Sequence, residues 1–307
     1  MGKTIYILGC GAVGFPLAVY LSKAGRNVVA VRTSARGSVP PTTDVTIHDP
    51  TGAVTAALPT INLNNLDRAE GLFIVSAKSY ANPSIAEALV NHHCQGPVVL
   101  LQNGIDVESP FLRAGCRDLY RCVVYLTSQS KSETEFSFRS IAISPIGTVK
   151  GDAQTLEECV RELHTDSFPF RAEDNIDKAV WKKAICNVVF NSVCPLLEVD
   201  NSVFAKDKAA ADIARNLVSE CLTLTERLGI DLTQEEVLAQ IMTISENSTQ
   251  LISTLQDIRA GRKTEIDSLN IAMANLGATL DPPVALPQVE LLGKMTLEKS
   301  ALSMRQD

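Results

Sequence analysis

Near the amino terminus an apolar run, Thr4-Ile5-Tyr6-Ile7-Leu8, leads directly into Gly9-Cys10-Gly11-Ala12-Val13-Gly14. The residues after it, Val13–Ala24, repeat with helical spacing and stop at Gly25. A strand that must become a helix within six residues leaves few folds open. Gly9 permits the tight turn, Gly11 lets the backbone approach a pyrophosphate, and Gly14 lets the helix pack closely on the sheet. Phosphates at such a helix N-terminus meet unsatisfied N–H groups and the favourable end of the helix dipole. Gly9, Cys10, Gly11, Ala12, Val13 and Gly14 are therefore the candidate dinucleotide-binding loop.

The second strand, Asn27–Val31, bears on which dinucleotide. Sites for NAD commonly carry an acid at its end, to hold the ribose 2′-hydroxyl. Here the chain reads Val31-Arg32-Thr33-Ser34, followed by Arg36, with no carboxylate close by. A guanidinium can grip a 2′-phosphate with two parallel hydrogen bonds. Arg32 is the expected reader and NADPH the expected cofactor, with Arg36 as the other candidate and a solvated surface arginine as the plain alternative.

The rhythm of strand and helix continues. Leu66–Glu70 reads as a short helical turn, Leu72–Ser76 as a strand, Ser84–Asn91 as a helix and Pro97–Leu101 as a strand running into Asn103-Gly104. Repeated βαβ units imply a parallel, doubly wound sheet. Leu119–Thr127 and Ser137–Pro145 are β-rich and are expected to extend it as antiparallel or mixed edge strands. From Asn175 to near Met304 helical spacing takes over, most clearly in Ala209–Leu228 and Thr233–Ile244. The expected fold class is α/β: an amino-terminal Rossmann-like doubly wound parallel sheet, residues 1–170, before an all-α carboxy-terminal domain, residues 171–307.

With 307 residues the chain has room for two such domains. Its net charge of −7 argues against a general nucleic-acid binder. No apolar run exceeds strand length, so no membrane span is expected, and the amino terminus reads as a strand and not a signal peptide. The eight cysteines are scattered without a C-x-x-C pair, which disfavours zinc and fits reduced thiols in a cytoplasmic protein.

Three further groups carry chemistry. Lys78 and Asn103 stand at carboxyl ends of parallel strands, where open α/β sheets meet their ligands; either alone could be a surface or turn residue. In Trp181-Lys182-Lys183-Ala184-Ile185-Cys186-Asn187-Val188-Val189-Phe190-Asn191, the residues Lys183, Asn187 and Asn191 form one polar stripe at i, i+4 and i+8. Asparagines in so apolar a helix need partners, such as a ligand, unless the stripe simply faces solvent. In the segment from Ser253 to Asp267 a helix runs to Ala260 and is stopped by Gly261. Thr264 then reads as a cap for a second helix, with Asp267 at the capping-box position and Glu265 in its first turn. By chemistry alone Glu265 could merely complement the helix dipole.

Together, ILGCGAVG, VSAKSY, LQNG, WKKAICNVVFN and LQDIRAGRKTEID resemble the ketopantoate reductase family over nearly the whole chain. The resemblance implies a general acid, Lys183, that protonates the ketone oxygen, with Glu265 orienting it or the new hydroxyl. It implies a substrate pocket of Asn103, Lys183, Asn187, Asn191, Ser253 and Glu265, with Ser253 on the carboxylate. It also places Asn103 on the nicotinamide side of the cleft and has Lys78 help hold cofactor or substrate. Gln250 and Thr254 depart from the family pattern, where asparagine and methionine are common, and this bears on the substrate. The implied reaction is NADPH-dependent reduction of 2-dehydropantoate to pantoate, a step towards pantothenate and coenzyme A. Reduction of another 2-keto acid and a non-catalytic NADPH sensor are the alternatives. Expected partners are a small 2-keto acid, neither nucleic acid nor membrane, and a homodimer is left open.

Overall fold

The structure, a computed structural model, describes residues 2–34 and 38–305. The chain divides into two compact units, Met1–Gln102 with Val107–Ile176, and Asn103–Asp106 with Asp177–Asp307.

Among the described residues the first unit holds eleven strands: β1 (Thr4–Leu8), β2 (Val28–Arg32), β3 (Thr42–Asp49), β4 (Gly52–Asn62), β5 (Gly71–Val75), β6 (Val98–Leu100), β7 (Leu119–Cys122), β8 (Leu126–Ser130), β9 (Glu135–Ser140), β10 (Ser144–Lys150) and β11 (Phe170–Ala172). Their order is β11-β10-β7-β6-β5-β1-β2-β4-β3-β9-β8. From β4 to β7 every neighbouring pair is parallel. The order reverses beside β1, which makes the carboxyl ends of β1 and β5 the switch point of a doubly wound sheet. At the β7 edge β10 adds antiparallel and β11 parallel to β10. At the other edge β4 turns back through Gly52 (φ 136°) onto β3, and β9 and β8 follow.

Helices cover both faces because the strands bury both. Ile5, Ile7, Leu72, Ile74 and Val99 pack with Phe15, Leu17 and Leu21 of α1 (Gly14–Lys23). The alternate residues, Leu8, Phe73, Val75, Val98 and Leu100, pack with Ile85 and Ala86 of α2 (Asn82–Asn91) and Phe111 of α3 (Ser109–Arg113). Each fully buried aliphatic or aromatic side chain contributes roughly 1.5–3 kcal/mol of transfer free energy, which fixes the helices that open at the strand ends. A fourth helix, α4 (Ala153–Leu163), starts on the Asp152 carboxylate, which accepts from Thr155 N at 2.8 Å.

The short turn expected at Leu66–Glu70 falls earlier, as a 3-10 turn over Leu63–Asn65. The hairpin of β3 and β4 and the helix α4 go beyond the sequence reading.

The second unit is helical: α5 (Ile176–Leu197), which begins at the last residue of the first unit, α6 (Val203–Lys206), α7 (Lys208–Arg227), α8 (Gln234–Asn247), α9 (Ser253–Arg259), α10 (Asn270–Thr279) and α11 (Pro287–Ser303). Its core gathers Ile185, Val189 and Phe190 of α5 with Leu217, Cys221 and Leu224 of α7 and Val289 of α11. Asp207 caps α7, and Thr233 with Glu236 forms a capping box on α8. Among the described residues no helix is long and apolar enough to cross a membrane, and all eight cysteines are free thiols.

Candidate active site

The glycine loop closes on itself so tightly that two of its glycines have no substitute. A Cβ on Gly9 (φ 118°) would lie 2.2 Å from Ala77 N, and one on Gly14 would lie 1.9 Å from Gly9 O. Ser76 Oγ, donating to Gly9 O at 2.9 Å, ties the loop to the end of β5. Gly11 differs: a Cβ there would meet nothing within 4 Å. The loop thus leaves open space at the glycine expected to let a pyrophosphate approach, and the first turn of α1 carries no side-chain cap. These features fit a bound pyrophosphate. The Cys10 thiol, pushed up to about 12 by burial against the opposing pull of Arg32, is protonated at neutral pH and no nucleophile.

Arg32 is the last residue of β2. Its Cζ stands 5.8 Å from the centroid of the Phe15 ring, and its Nε is buried without a hydrogen-bond partner. No carboxylate pairs with it among the described residues, so the guanidinium is available to an anion. Arg36 lies outside the described residues.

Lys78 is half-buried and precedes a 3-10 turn, Ser79–Ala81, three residues after β5 ends. The neighbouring backbone is held by a buried amide pair. Gln102 Nε2 donates to Ala77 O at 2.9 Å and to Asn82 Oδ1, while Asn82 Nδ2 donates to Val107 O at 2.8 Å. Arg121, buried on β7, pairs with Glu108 at 2.6 Å and reaches Gln102 O. The sequence reading missed this clamp. Its only signal is polar type within apolar surroundings, and its members lie up to 39 positions apart along the chain (Asn82 to Arg121).

In the second unit α5 places Lys183, Asn187 and Asn191 on successive turns. Asn191 is fully engaged: its Nδ2 donates to Asn187 O at 3.0 Å, and its Oδ1 accepts from Thr254 Oγ1 at 2.8 Å and Ser253 Oγ at 3.4 Å. The start of α9 is thereby stapled to the stripe. Asn187 Nδ2, one turn away, is buried with no partner, as is Asn103 Oδ1. The segment Asn103–Asp106 packs on the turn that bears Glu265: Ile105 N donates to Ser268 O at 3.0 Å, and a Cβ on Gly104 (φ 98°) would lie 2.3 Å from that oxygen.

The helix expected to start at Thr264 forms differently. Thr264 is buried and caps nothing. Glu265 instead precedes a 3-10 turn, Ile266–Ser268, because Ser268 N and Oγ both donate to Glu265 O, at 3.0 and 2.9 Å. Leu269 (φ −113°, ψ −101°) interrupts the helical backbone, and α10 starts only at Asn270. Glu265 is thus a half-buried turn residue and not a first-turn helix carboxylate.

A doubly wound sheet with an open glycine cradle, joined to a helical unit with a polar stripe, defines the class of two-unit nucleotide-dependent reductases. Family models bear this out: residues 5–151 match "Ketopantoate reductase PanE/ApbA" and residues 175–298 match its C-terminal domain. The chain belongs to the ketopantoate reductase family.

Among its relatives, 2-dehydropantoate 2-reductase of Pyrococcus abyssi is 25% identical over 276 residues, covering 87% of this chain and 88% of that protein. Two solved structures share the fold over 98% of this chain and 99% of theirs. D-mandelate dehydrogenase with NADH and anilino(oxo)acetate is 20% identical with a TM-score of 0.86. The PanE/ApbA family ketopantoate reductase from Ralstonia eutropha is 21% identical with a TM-score of 0.85.

Proposed function

We propose that this protein reduces 2-dehydropantoate to pantoate with NADPH. The observation that carries the reading is the α5 stripe: Lys183 and a buried, unpartnered Asn187 amide beside an Asn191 already fixed by Thr254 and Ser253. A buried amide without a partner costs roughly 1–3 kcal/mol, which a bound polar ligand recovers. The relatives named 2-dehydropantoate 2-reductase supply the substrate.

The residues divide the work by chemistry. Gly9–Gly14 would hold the pyrophosphate, Arg32 the 2′-phosphate, and Lys78 and Asn103 the cofactor nearer its reacting end. Bound NADPH supplies the hydride. As the ketone is reduced, negative charge grows on its oxygen, and the Lys183 ammonium stabilises that charge and delivers the proton. Glu265 keeps the ammonium charged and aligned. Ser253 binds the substrate carboxylate, and Asn187 fixes the rest of the keto acid.

Lys183→Ala should lower kcat by roughly 10²- to 10⁴-fold, with the dissociation constant for NADPH unchanged. Near-normal kcat would remove Lys183 as the acid. A second reading, reduction of a different 2-keto acid, is favoured by the buried Thr254 hydroxyl on Asn191, where an apolar residue is expected. Oxidation of NADPH followed at 340 nm across a panel of 2-keto acids separates the two, and the absence of turnover with any of them would sink both.

A further inference from the structure

We infer that Phe15 is a positioning residue for Arg32, and that the pair sets the preference for a 2′-phosphorylated dinucleotide. The inference rests on the cofactor reading above and deepens it. An arginine at a strand end ordinarily samples many rotamers, and ordering it for a ligand costs roughly 0.5–1.5 kcal/mol. Here the guanidinium already has a seat. Phe15 is the second residue of α1, only 1% exposed, and its ring lies 5.8 Å from Arg32 Cζ. The ring is immobile in turn, packed at 5.7 Å and 48° against Phe136 of β9. Its place is set by Gly14 immediately before it, which is locked against Gly9 O and Ser76 Oγ.

The geometry of the two groups makes the seat useful. A cation held over an aromatic ring is attracted through the ring's quadrupole and spends no hydrogen bond. The five N–H donors of a guanidinium lie in its own plane, so they stay available for bidentate contact with a phosphate. A carboxylate partner would have consumed those donors; Arg32 has none among the described residues, and its Nε is buried without a partner. Phe15 therefore joins the pyrophosphate loop to the residue that reads the 2′-position. A dinucleotide lacking the 2′-phosphate gains nothing from this link.

The test is equilibrium binding of NADP+ and NAD+ to the intact protein by titration calorimetry, with Tm measured alongside. The variants are Phe15→Leu, Arg32→Ala and the double variant. Leucine keeps an apolar side chain in the core and removes the ring face; Phe15→Met is read in the same way. Phe15→Leu should weaken NADP+ by roughly 5- to 30-fold and NAD+ by less than about twofold, and the double variant should lose little NADP+ affinity beyond that lost by Arg32→Ala alone. Equal weakening of both dinucleotides, or of neither, overturns the positioning role, and so do additive losses in the double variant. If Arg32→Ala itself leaves the NADP+ to NAD+ ratio unchanged, the 2′-phosphate reading fails first and the Phe15 inference falls with it.

Discussion

Replacing Gly11 and Gly14 in turn by alanine should separate folding from binding within one six-residue loop. At Gly14 the new Cβ would sit 1.9 Å from Gly9 O and 2.5 Å from Ser76 Oγ, where real Cβ atoms essentially never come closer than 3.0 Å. Backbone must therefore move by about an ångström, because the nearest obstacle is a carbonyl and not a flexible tip. Overpacking of this kind costs about 3 kcal/mol or more, and the helix-propensity gain of alanine over glycine returns only about 0.5–1 kcal/mol. The net loss is about 2 kcal/mol, a fall in Tm of roughly 4–8 °C for a domain of this size. At Gly11 the Cβ meets nothing, and the backbone is not in the left-handed region. Gly11→Ala should leave Tm unchanged or slightly raised, while its methyl group occupies the approach of the pyrophosphate and abolishes measurable dinucleotide binding. Calorimetric melting and fluorescence titration with NADPH check both halves. A Gly11→Ala protein that binds NADPH normally would refute the assignment of the open cradle, and a Gly14→Ala protein of full stability would refute the steric argument.

Three other outcomes follow from side-chain geometry. Glu108→Gln removes the charge facing Arg121, whose side chain is 5% exposed, and should cost about 2 kcal/mol in urea unfolding; this is below the roughly 3–5 kcal/mol of a fully buried pair because Glu108 is 27% exposed. An unchanged midpoint would mean that the Gln102 carbonyl and its neighbours satisfy Arg121 unaided. Thr254→Val takes the 2.8 Å donor from Asn191 Oδ1 and should cost about 1–2 kcal/mol while raising KM for the keto acid and leaving NADPH affinity alone. No change in KM would detach Asn191 from substrate binding. Glu236, held down to about 2 by the Thr233 N–H and the Lys178 ammonium, has a folded pKa below its ordinary 4.5, so its stabilising effect is full above that value and lost as pH falls towards about 2. Between those limits the Tm of the native protein should converge on that of Glu236→Gln, and parallel curves would exclude the linkage.

What the sequence showed and hid has a physical pattern. β1, the glycine loop and α1 were legible because each signal is local: apolar run, glycine spacing and helical repeat lie within about twenty residues. The hairpin of β3 and β4 was not. Its inward positions include Thr43, Ala56 and Thr60, buried yet hardly hydrophobic, so alternation in polarity is weak although alternation in burial is strict over much of it. The helix α4 buries only Leu156, Cys159 and Leu163 beneath an otherwise polar surface, a stripe too thin to stand out. At the site, the spacing of Lys183, Asn187 and Asn191 announced a stripe, but Thr254, whose hydroxyl bonds Asn191, lies 63 residues away and no periodicity reaches so far. The Thr264 cap failed for a related reason: Thr264 is 2% exposed, and its burial outweighs the local preference of threonine for a helix start.

The three glycines of the loop, often treated as one motif, answer to two different demands. Gly9 and Gly14 are required by the protein's own backbone, whether or not anything binds; Gly11 is not, and under the proposed function its reason is the ligand. The same division runs through the polar residues. Gln102 and Asn82 bond each other, Arg121 pairs with Glu108, and together they hold the backbone that leads to Lys78 and Asn103. Arg32 Nε, Asn103 Oδ1 and Asn187 Nδ2 are among several buried side-chain atoms that find no hydrogen-bond partner among the described residues. In a native interior nearly every buried polar atom finds a partner, so an exception calls for an explanation. Three of these exceptions fall on residues that pattern and resemblance had already set aside for ligands, while others, such as Arg26 Nε and Asn270 Oδ1, lie elsewhere. The unpaired atoms of Arg32, Asn103 and Asn187 therefore support the proposed binding residues independently of the glycine motif.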